Sequence, residues 1–526
     1  MVGRAGRREW LTLAVLCLPL MLVTMDVSVL FFAVPQIAAD LRPSAVQVLW
    51  ILDVYGFVLA GLLLTMGSVA DRVGRRRTLL IGAVAFGGAS ALAAYAPGPG
   101  WLIAARAVLG VGGSTLMPST LAIVRDVFVD PGDRAKAVGV WSAVMAGGVG
   151  IGPVVSGVLL EHFWWGSVFL INLPVLAAFL AVAARMLPES RDVSARVDLT
   201  SAVLSLLAVL PMVHALKDLA AHGRSWPVLG YAALGLGAGI AFVRRQRRIA
   251  TPMVDLALFR RPGLGASVGV QVIAMFGVMG NAVVLTQYLQ SVLGLSALAA
   301  ALWSLAPSVV VGGAAPGAAV LARRLGRPHV IAGGCLLAAA GFGLLLLAGA
   351  HSSVWTVLLA ATPIAAGLVS VTTLVTEYAI GVAPPQRTGS VSALVETAGE
   401  LGGALGMAVL GSVLAAAYGS SVRAALPAGL APETVATVAD SLPTAAVAAA
   451  AMGGPTGEAV LDVARAAYAS GMHAAALVAA AVVMLGAWVS LAALPRRADG
   501  STAPVCAGQP AGESAEASPG PARGPR

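Results

Sequence analysis

The stretch Gly67-Ser-Val-Ala-Asp71-Arg72-Val-Gly74-Arg75 has a weaker echo in Ala319-Val-Leu-Ala-Arg323-Arg324-Leu-Gly326-Arg327. Each stretch follows the second long apolar run of one half of the chain. A second echo links Gly148-Val-Gly-Ile-Gly152 to Gly402-Gly-Ala-Leu-Gly406. Six spans, an inserted pair and six more spans bring both echoes into register. The sequence therefore predicts two parallel halves with a binding site between them near the bilayer midplane.

The composition places nearly the whole chain in a lipid bilayer. Of its 526 residues, 58% are hydrophobic and 11% are charged, and the mean hydropathy is +0.89. A bilayer core about 30 Å thick needs about 20 apolar residues per helical crossing. The apolar runs predict an all-α integral membrane protein with helices near 11–35, 47–68, 78–96, 101–126, 134–160, 165–187, 198–218, 227–243, 263–290, 297–321, 328–349, 353–381, 388–417 and 471–494.

The positive charges orient these fourteen spans, because cytoplasmic loops are enriched in Lys and Arg. With the N-terminus inside, the predicted outer loops hold only five of the 33 Lys and Arg residues: Arg42, Lys217, Arg224, Arg423 and Arg465. We therefore expect a bacterial inner (cell) membrane protein with both termini in the cytoplasm. The first apolar run resembles a secretory leader, but its length and the presence of Asp26 favour a retained helix.

The same map divides the chain into regions. Residues 1–10 are a cytoplasmic N-terminus, 11–187 a six-helix bundle, 188–262 two inserted helices with a cytoplasmic linker, and 263–497 a second six-helix bundle. The second bundle carries an extracytoplasmic loop at 418–470, rich in Ala, Pro and Thr, to which the sequence assigns no chemistry. Residues 498–526 have almost nothing to bury and are expected to be a disordered cytoplasmic tail.

Several function classes are excluded by what the sequence lacks. Neither lysine, Lys136 or Lys217, stands in a phosphate-binding Gly-rich loop, so we expect no ATP site and no cofactor. Cysteines and histidines are scattered singly, which argues against a metal site. The net charge of +9 lies in short loops without interleaved aromatic residues, so no nucleic-acid partner is expected. We expect a monomer among membrane lipids, not an enzyme, with any uphill transport driven by a gradient.

Six ionisable residues lie inside predicted spans: Asp26, Asp53, Arg106, Glu377, Glu396 and Glu400. Each costs about 2.5 to 3.5 kcal/mol at a helix centre, so such residues usually serve a function. Glu377 lies near the inner end of its helix, where snorkelling to the interface explains it equally well.

Glu396 and Glu400 are four residues apart, so a helix turns both toward the same side. Desolvation and like-charge repulsion raise the affinity of one of them for a proton. A hydrophobic cation would compete with that proton for the negative site, and this competition predicts exchange. The alternative is an acidic pair that faces lumenal water without coupling.

Asp26, Asp53 and Arg106 lie at comparable depth on spans one, two and four, which predicts an Arg–Asp network. Arg106 would neutralise one carboxylate and release it on protonation, and a purely structural ion pair is the alternative.

In span five, Gly147 to Gly157 leaves one helix face without side chains, and Pro153 permits a bend. Such a face suits a moving interface, although many static helix pairs also use one.

Taken together, these motifs resemble those of the major facilitator superfamily, in its fourteen-span branch of drug:proton antiporters. The resemblance extends from Leu11 to Leu494 and implies two six-helix bundles with two inserted helices. It implies that the loop residues Gly67, Asp71, Arg72, Gly74 and Arg75 gate the cytoplasmic side, and that Gly148, Gly152, Pro153 and Gly157 form the antiporter motif of span five. Arg106 with Gly110 is similar to the motif implicated in proton transfer.

The resemblance also implies that Asp26, Asp53, Glu396 and Glu400 are the substrate and proton carboxylates. No acid lies between Gly263 and Ala322, where some of these pumps have one, which argues against divalent substrates. The predicted function is proton-coupled export of lipophilic, mainly cationic drugs such as dyes, quaternary ammonium compounds or fluoroquinolones. The alternatives are a narrow exporter of one natural antibiotic for self-resistance, a proton symporter and a non-transporting receptor.

Overall fold

A computed structural model describes residues 5–191, 197–223, 225–249, 252, 256, 259, 261–382, 388–427 and 430–495. Within these residues, fourteen helices are long and apolar enough to cross a membrane. The prediction of an all-α, fourteen-span protein is confirmed. The predicted tail at 498–526 and Arg224 lie outside the described residues.

In the described residues up to Gln246, the first half and the inserted pair form nine helices. They are α1 (Arg7–Leu41), α2 (Ala45–Val73), α3 (Arg75–Ala94), α4 (Pro99–Val127), α5 (Pro131–His162), α6 (Ser167–Leu170), α7 (Asn172–Met186), α8 (Leu199–His222) and α9 (Trp226–Gln246). The short helix α6 and α7 together form the sixth span. Helices α8 and α9 are the inserted pair.

The second half begins with α10 (Leu264–Gln287), which a π-helical turn extends over Tyr288–Val292. The helices that follow are α11 (Ala297–Leu325), α12 (Arg327–Leu345), α13 (Val354–Gly381), α14 (Thr388–Ala425), α15 (Pro432–Asp440), α16 (Leu442–Met452) and α17 (Gly454–Ala493). Helices α15 and α16 are too short to span a bilayer.

The two halves repeat the same packing order. In the first half α1 packs along α5, while α2 and α3 pack along α4. In the second half α10 packs along α14, while α11 and α12 pack along α13. Gly74 and Gly326 occupy equivalent positions between the second and third spans of each half, with φ of 122° and 84°. Only glycine adopts such φ values readily, so the repeat seen in the sequence reflects a shared backbone turn.

The halves meet where α2 packs against α14 and α5 packs against α11. The inserted helix α8 packs against α9 and also contacts both α2 and α14. Asp198 caps the start of α8 by accepting from the Ser201 N–H, and its carboxylate lies 2.9 Å from Arg245 of α9. The inserted pair therefore borders the seam between the halves.

The segment at 418–470, predicted as an extracytoplasmic loop, is mostly helical among its described residues. Helix α14 continues to Ala425, α15 and α16 follow, and α17 begins at Gly454, well before the expected start at 471. Alanine has the highest helix propensity, and α15, α16 and α17 each carry a proline in the first turn, where its missing N–H is harmless. Helices α15 and α16, here called the cap, lie at the end of the bundle where α1 joins α2, which is the predicted outer end.

Candidate substrate and proton site

A cavity with an empty volume of about 830 Å³ lies between the two halves. Helices α1, α2, α4 and α5 line it from the first half, and α10 and α14 line it from the second. We call this space the central cavity.

Glu396 and Glu400 both line the central cavity, one turn apart on α14. Gly399 and Gly403 share that wall and carry no side chains that could cover the carboxyl groups. Neither glutamate forms a hydrogen bond or ion pair with the described residues. The structure therefore brings together two acidic groups in one cavity, without a basic partner among those residues.

Methionine dominates the apolar part of the same wall. Five methionines reach the cavity from four helices: Met117, Met145, Met275, Met279 and Met407. Their unbranched thioether side chains adapt to ligands of different shape. Sequence reasoning missed this set, because methionines on helices far apart in the chain share no local spacing.

Arg106 and Asp26 form an ion pair just behind the cavity wall. Their side chains are only 1% and 4% exposed, and Arg106 Nε also donates to the Ile51 carbonyl at 3.1 Å. The guanidinium lies 4.7 Å from the ring centroid of Tyr55, and Tyr55 itself lines the cavity. Tyr55 therefore connects the central cavity to the buried pair by direct contact.

Asp53 does not join this network, contrary to the prediction. Its partner is Lys217 of α8, whose Nζ donates to Asp53 Oδ1 at 2.8 Å and lies equally close to Oδ2. Both side chains are fully buried, and the ammonium lies 4.0 Å from the ring centroid of Trp50. The assignment of Lys217 to an outer loop was therefore wrong. A pair separated by 164 residues leaves no local pattern in the sequence.

Glu377 lies outside the central cavity. Its carboxylate is 49% exposed and lies 4.0 Å from Arg327, which is 44% exposed. Both features match the interfacial alternative, and the structure separates Glu377 from the cavity glutamates.

The loop between α2 and α3 centres on Arg75. Its guanidinium lies 2.8 Å from Asp71 and 2.6 Å from Asp126 at the end of α4. Arg72, the predicted gating partner, is exposed and forms no ion pair with the described residues. Arg75, and not Arg72, thus forms the ion pairs with Asp71 and Asp126 at this loop.

Two glycines shape the same loop. A Cβ on Gly67 would lie 3.7 Å from Pro118 of α4, which is ordinary contact. Gly74 has a positive φ, and a Cβ there would come within 2.9 Å of the Glu189 carboxyl carbon. Gly74 is therefore required by its backbone conformation, whereas the Glu189 carboxyl group lies at the end of a flexible side chain and can move aside.

The glycines of α5 allow two close helix contacts. A Cβ on Gly148 or Gly152 would come within 3.0 Å of a carbonyl oxygen of α1, at Met21 or Met25 respectively. Farther along, beyond Pro153, a Cβ on Gly157 would lie 2.7 Å from the Leu298 Cα on α11. Helix α5 thus packs through small residues against its own half and then against the other half.

The sequence matches the family model "Major Facilitator Superfamily" over residues 16–407. The chain belongs to the major facilitator superfamily. The match covers most of both halves, including the loop centred on Arg75 and the two cavity glutamates.

Curated relatives within the superfamily belong to its multidrug efflux branch. The chain is 42% identical to the multidrug efflux pump LfrA of Mycolicibacterium smegmatis, covering 92% of this chain and 96% of LfrA. It is 36% identical to the methyl viologen resistance protein SmvA of Salmonella typhimurium, and the match covers 93% of this chain and 100% of SmvA. It is 32% identical to the tetracenomycin C resistance and export protein of Streptomyces glaucescens, covering 92% and 91%. The protein is therefore a multi-pass membrane transporter of this branch.

Solved structures of superfamily transporters share the fold. A bacterial homologue of the human lysosomal transporter Spinster, inward-facing and unoccupied, superposes with a TM-score of 0.62 at 19% identity, covering 92% of this chain and 98% of that one. A peptide transporter POT in complex with sulfate superposes with a TM-score of 0.59 at 17% identity, and the match covers 90% of this chain and 94% of that one. At these identities the likeness shows the fold alone.

The α1–α5 contact yields a testable prediction about packing. We expect Gly152→Val to lower thermal stability by about 1 to 3 kcal/mol, the usual cost of overpacking, and to impair export, because the new side chain would meet Ser28 and the Met25 carbonyl. Gly150→Val is the matched control, since no atom lies within 4 Å of a Cβ at Gly150. Thermal unfolding of both purified variants measures the difference. Equal stability of the two variants would contradict close packing at Gly152.

Proposed function

We propose that the protein exports lipophilic, mainly cationic drugs from the cytoplasm in exchange for protons. It would act as a monomer in the bacterial inner (cell) membrane, with both termini in the cytoplasm. The observation that supports this most is the pair Glu396 and Glu400, which lines a cavity between two repeated halves and has no basic partner among the described residues.

Competition for these carboxyl groups supplies a mechanism of exchange. In an enclosed, partly apolar space an ionised carboxylate needs a counter-charge. A proton or a bound cation can each meet that need, and two positive occupants would repel one another. Loading of the cation from the cytoplasm would therefore release a proton there, and a proton from outside would expel the cation.

The rest of the cavity suits a lipophilic occupant. The five methionines and the ring of Tyr55 provide adaptable apolar contacts, and aromatic faces attract cations. SmvA is named for resistance to methyl viologen, an aromatic dication, which supports a cationic substrate but speaks against the expected exclusion of divalent ones. A driving gradient fits a chain without a phosphate-binding loop, so we propose that no nucleotide or other cofactor is involved.

A narrow exporter of one natural antibiotic is the second candidate. The relatives named for tetracenomycin C and puromycin resistance support it. The flexible methionine lining favours the broader drug range, because a cavity built for one compound gains specificity from rigid, well-placed polar groups.

Transport by purified protein tests the proposed function. In proteoliposomes with the lumen one pH unit more acidic than the medium, we expect inside-out protein to accumulate ethidium. One pH unit supplies about 1.4 kcal/mol per proton, which is enough for about a tenfold gradient. A protonophore should abolish the accumulation, and liposomes without protein are the control. Accumulation that persists after the pH gradient is collapsed would exclude proton exchange.

A further inference from the structure

A second cavity lies beneath the cap, with an empty volume of about 640 Å³. Helices α1, α2, α10, α14 and α17 line its sides, and cap residues 440–443 close its outer end. We call it the outer cavity. The superfamily's central site does not include it, and the sequence assigned no chemistry to the segment that covers it.

The outer cavity has an acidic group that lacks a cationic partner. Asp440 lines it, and its Oδ1 accepts a hydrogen bond from the Ala45 N–H at 3.3 Å. No ion pair with the described residues neutralises this carboxylate. Burial raises the pKa of the Asp440 carboxyl, and the Ala45 N–H only partly opposes this. The carboxylate thus lies in a poorly hydrated place where a cation would stabilise it.

Gln287 provides a second and independent sign of a ligand. It lines the outer cavity and is 8% exposed, yet its Nε2 has no hydrogen-bond partner among the described residues. A buried unpaired amide is costly. Tyr418 and Tyr468, which also line the outer cavity, donate their hydroxyl protons to the carbonyls of Val438 and Val284, so only the rings of these tyrosines remain for contact with a ligand.

Leu52 lines both the central and the outer cavity. A single leucine side chain thus forms part of the wall between them. The central cavity contains Glu396 and Glu400, and the outer cavity contains Asp440, so acidic groups lie on both sides of Leu52. A cation that passes Leu52 would move from one negative site to another.

We propose that the outer cavity is an exit subsite that binds the exported aromatic cation between Asp440, Gln287 and the two tyrosine rings before release. This inference rests on the proposed export of lipophilic cations. It assigns to the cap a direct contact with substrate, in addition to its packing on α1, α14 and α17.

Equilibrium dialysis of ethidium against the full chain in nanodiscs tests the subsite. We expect the wild type to bind two molar equivalents, and Asp440→Asn to bind the second about tenfold more weakly, as expected for the loss of one charged partner. Asparagine keeps the oxygen that accepts from Ala45, so the cap should remain seated. Gln287→Leu, which changes the opposite wall, should weaken the same equivalent. The variant Glu396→Gln/Glu400→Gln should retain only the outer equivalent.

Glu433→Gln is the matched control, because it removes an exposed acid from the first turn of α15 without touching the outer cavity. We expect it to bind and transport as the wild type does. One equivalent in the wild type, or unchanged binding and export in both Asp440→Asn and Gln287→Leu, would overturn the subsite while leaving the proposed function intact. Absence of ethidium export by the wild type would instead overturn the proposed function, and the subsite with it.

Discussion

Replacing both cavity glutamates, Glu396→Gln/Glu400→Gln, is expected to abolish proton-coupled export. Each glutamine preserves shape, and neither carboxylate forms a hydrogen bond or ion pair within the described part of the chain, so folding should be unaffected. Loss of a charged partner costs about 1.5 to 3 kcal/mol, which weakens central ethidium binding by about 10- to 100-fold. Dialysis measures the affinity, and proteoliposome uptake measures export.

The pH dependence of ethidium binding gives the sharper test of proton exchange. In the wild type, protons compete with the cation, so central affinity should rise with pH, and binding in unbuffered solution should release protons. At the central site the double variant has no carboxylate for which the two can compete, so any residual central affinity should be independent of pH. Glu377→Gln is a matched control, because it makes the same change on a half-exposed residue outside the cavity. Proton release that persists when the double variant also carries Asp440→Asn would place the exchange site elsewhere.

The spans were predictable from the sequence because each satisfies a local requirement. A bilayer crossing needs a continuous apolar run, and the turn at Gly74 and Gly326 needs a glycine with positive φ. Both requirements are visible within a few residues. The bounds of the two cap helices were not predictable in this way, because Ala-rich segments too short to cross a bilayer give no spanning signal.

Predictions for the site were correct where they depended on neighbouring residues and wrong where they depended on the packing of distant helices. Glu396 and Glu400 are one turn apart, so their common direction follows from helix geometry. The partners of Asp26 and Asp53 depend on the packing of three different helices. Arg106 could have joined either acid by depth alone, and the rotation of α8 brings Lys217 to Asp53. Sequence spacing contains no information about such rotations.

Removing one partner of the buried pair, by Lys217→Met, is expected to give the largest loss of stability. It leaves Asp53 uncompensated in a fully buried position, and breaking such a pair costs about 3 to 5 kcal/mol. Protonating a carboxyl group of ordinary pKa at pH 7 costs about 4 kcal/mol by itself. Lowering the pH from 7 to 6 should therefore recover about 1.4 kcal/mol. Thermal unfolding of the purified protein at both pH values measures these changes.

A double variant decides whether the Asp53–Lys217 pair is only structural. In Asp53→Asn/Lys217→Met neither member of this pair is left charged and unpaired, so most of the lost stability should return. Arg245→Met is the control on the same inserted pair, since its bond to Asp198 is partly exposed and should contribute less than about 1 kcal/mol. If Asp53 is a coupling carboxylate, the double variant should be stable but unable to export ethidium. Recovery of both stability and export would leave the pair a structural role only, linking the inserted helix α8 to α2.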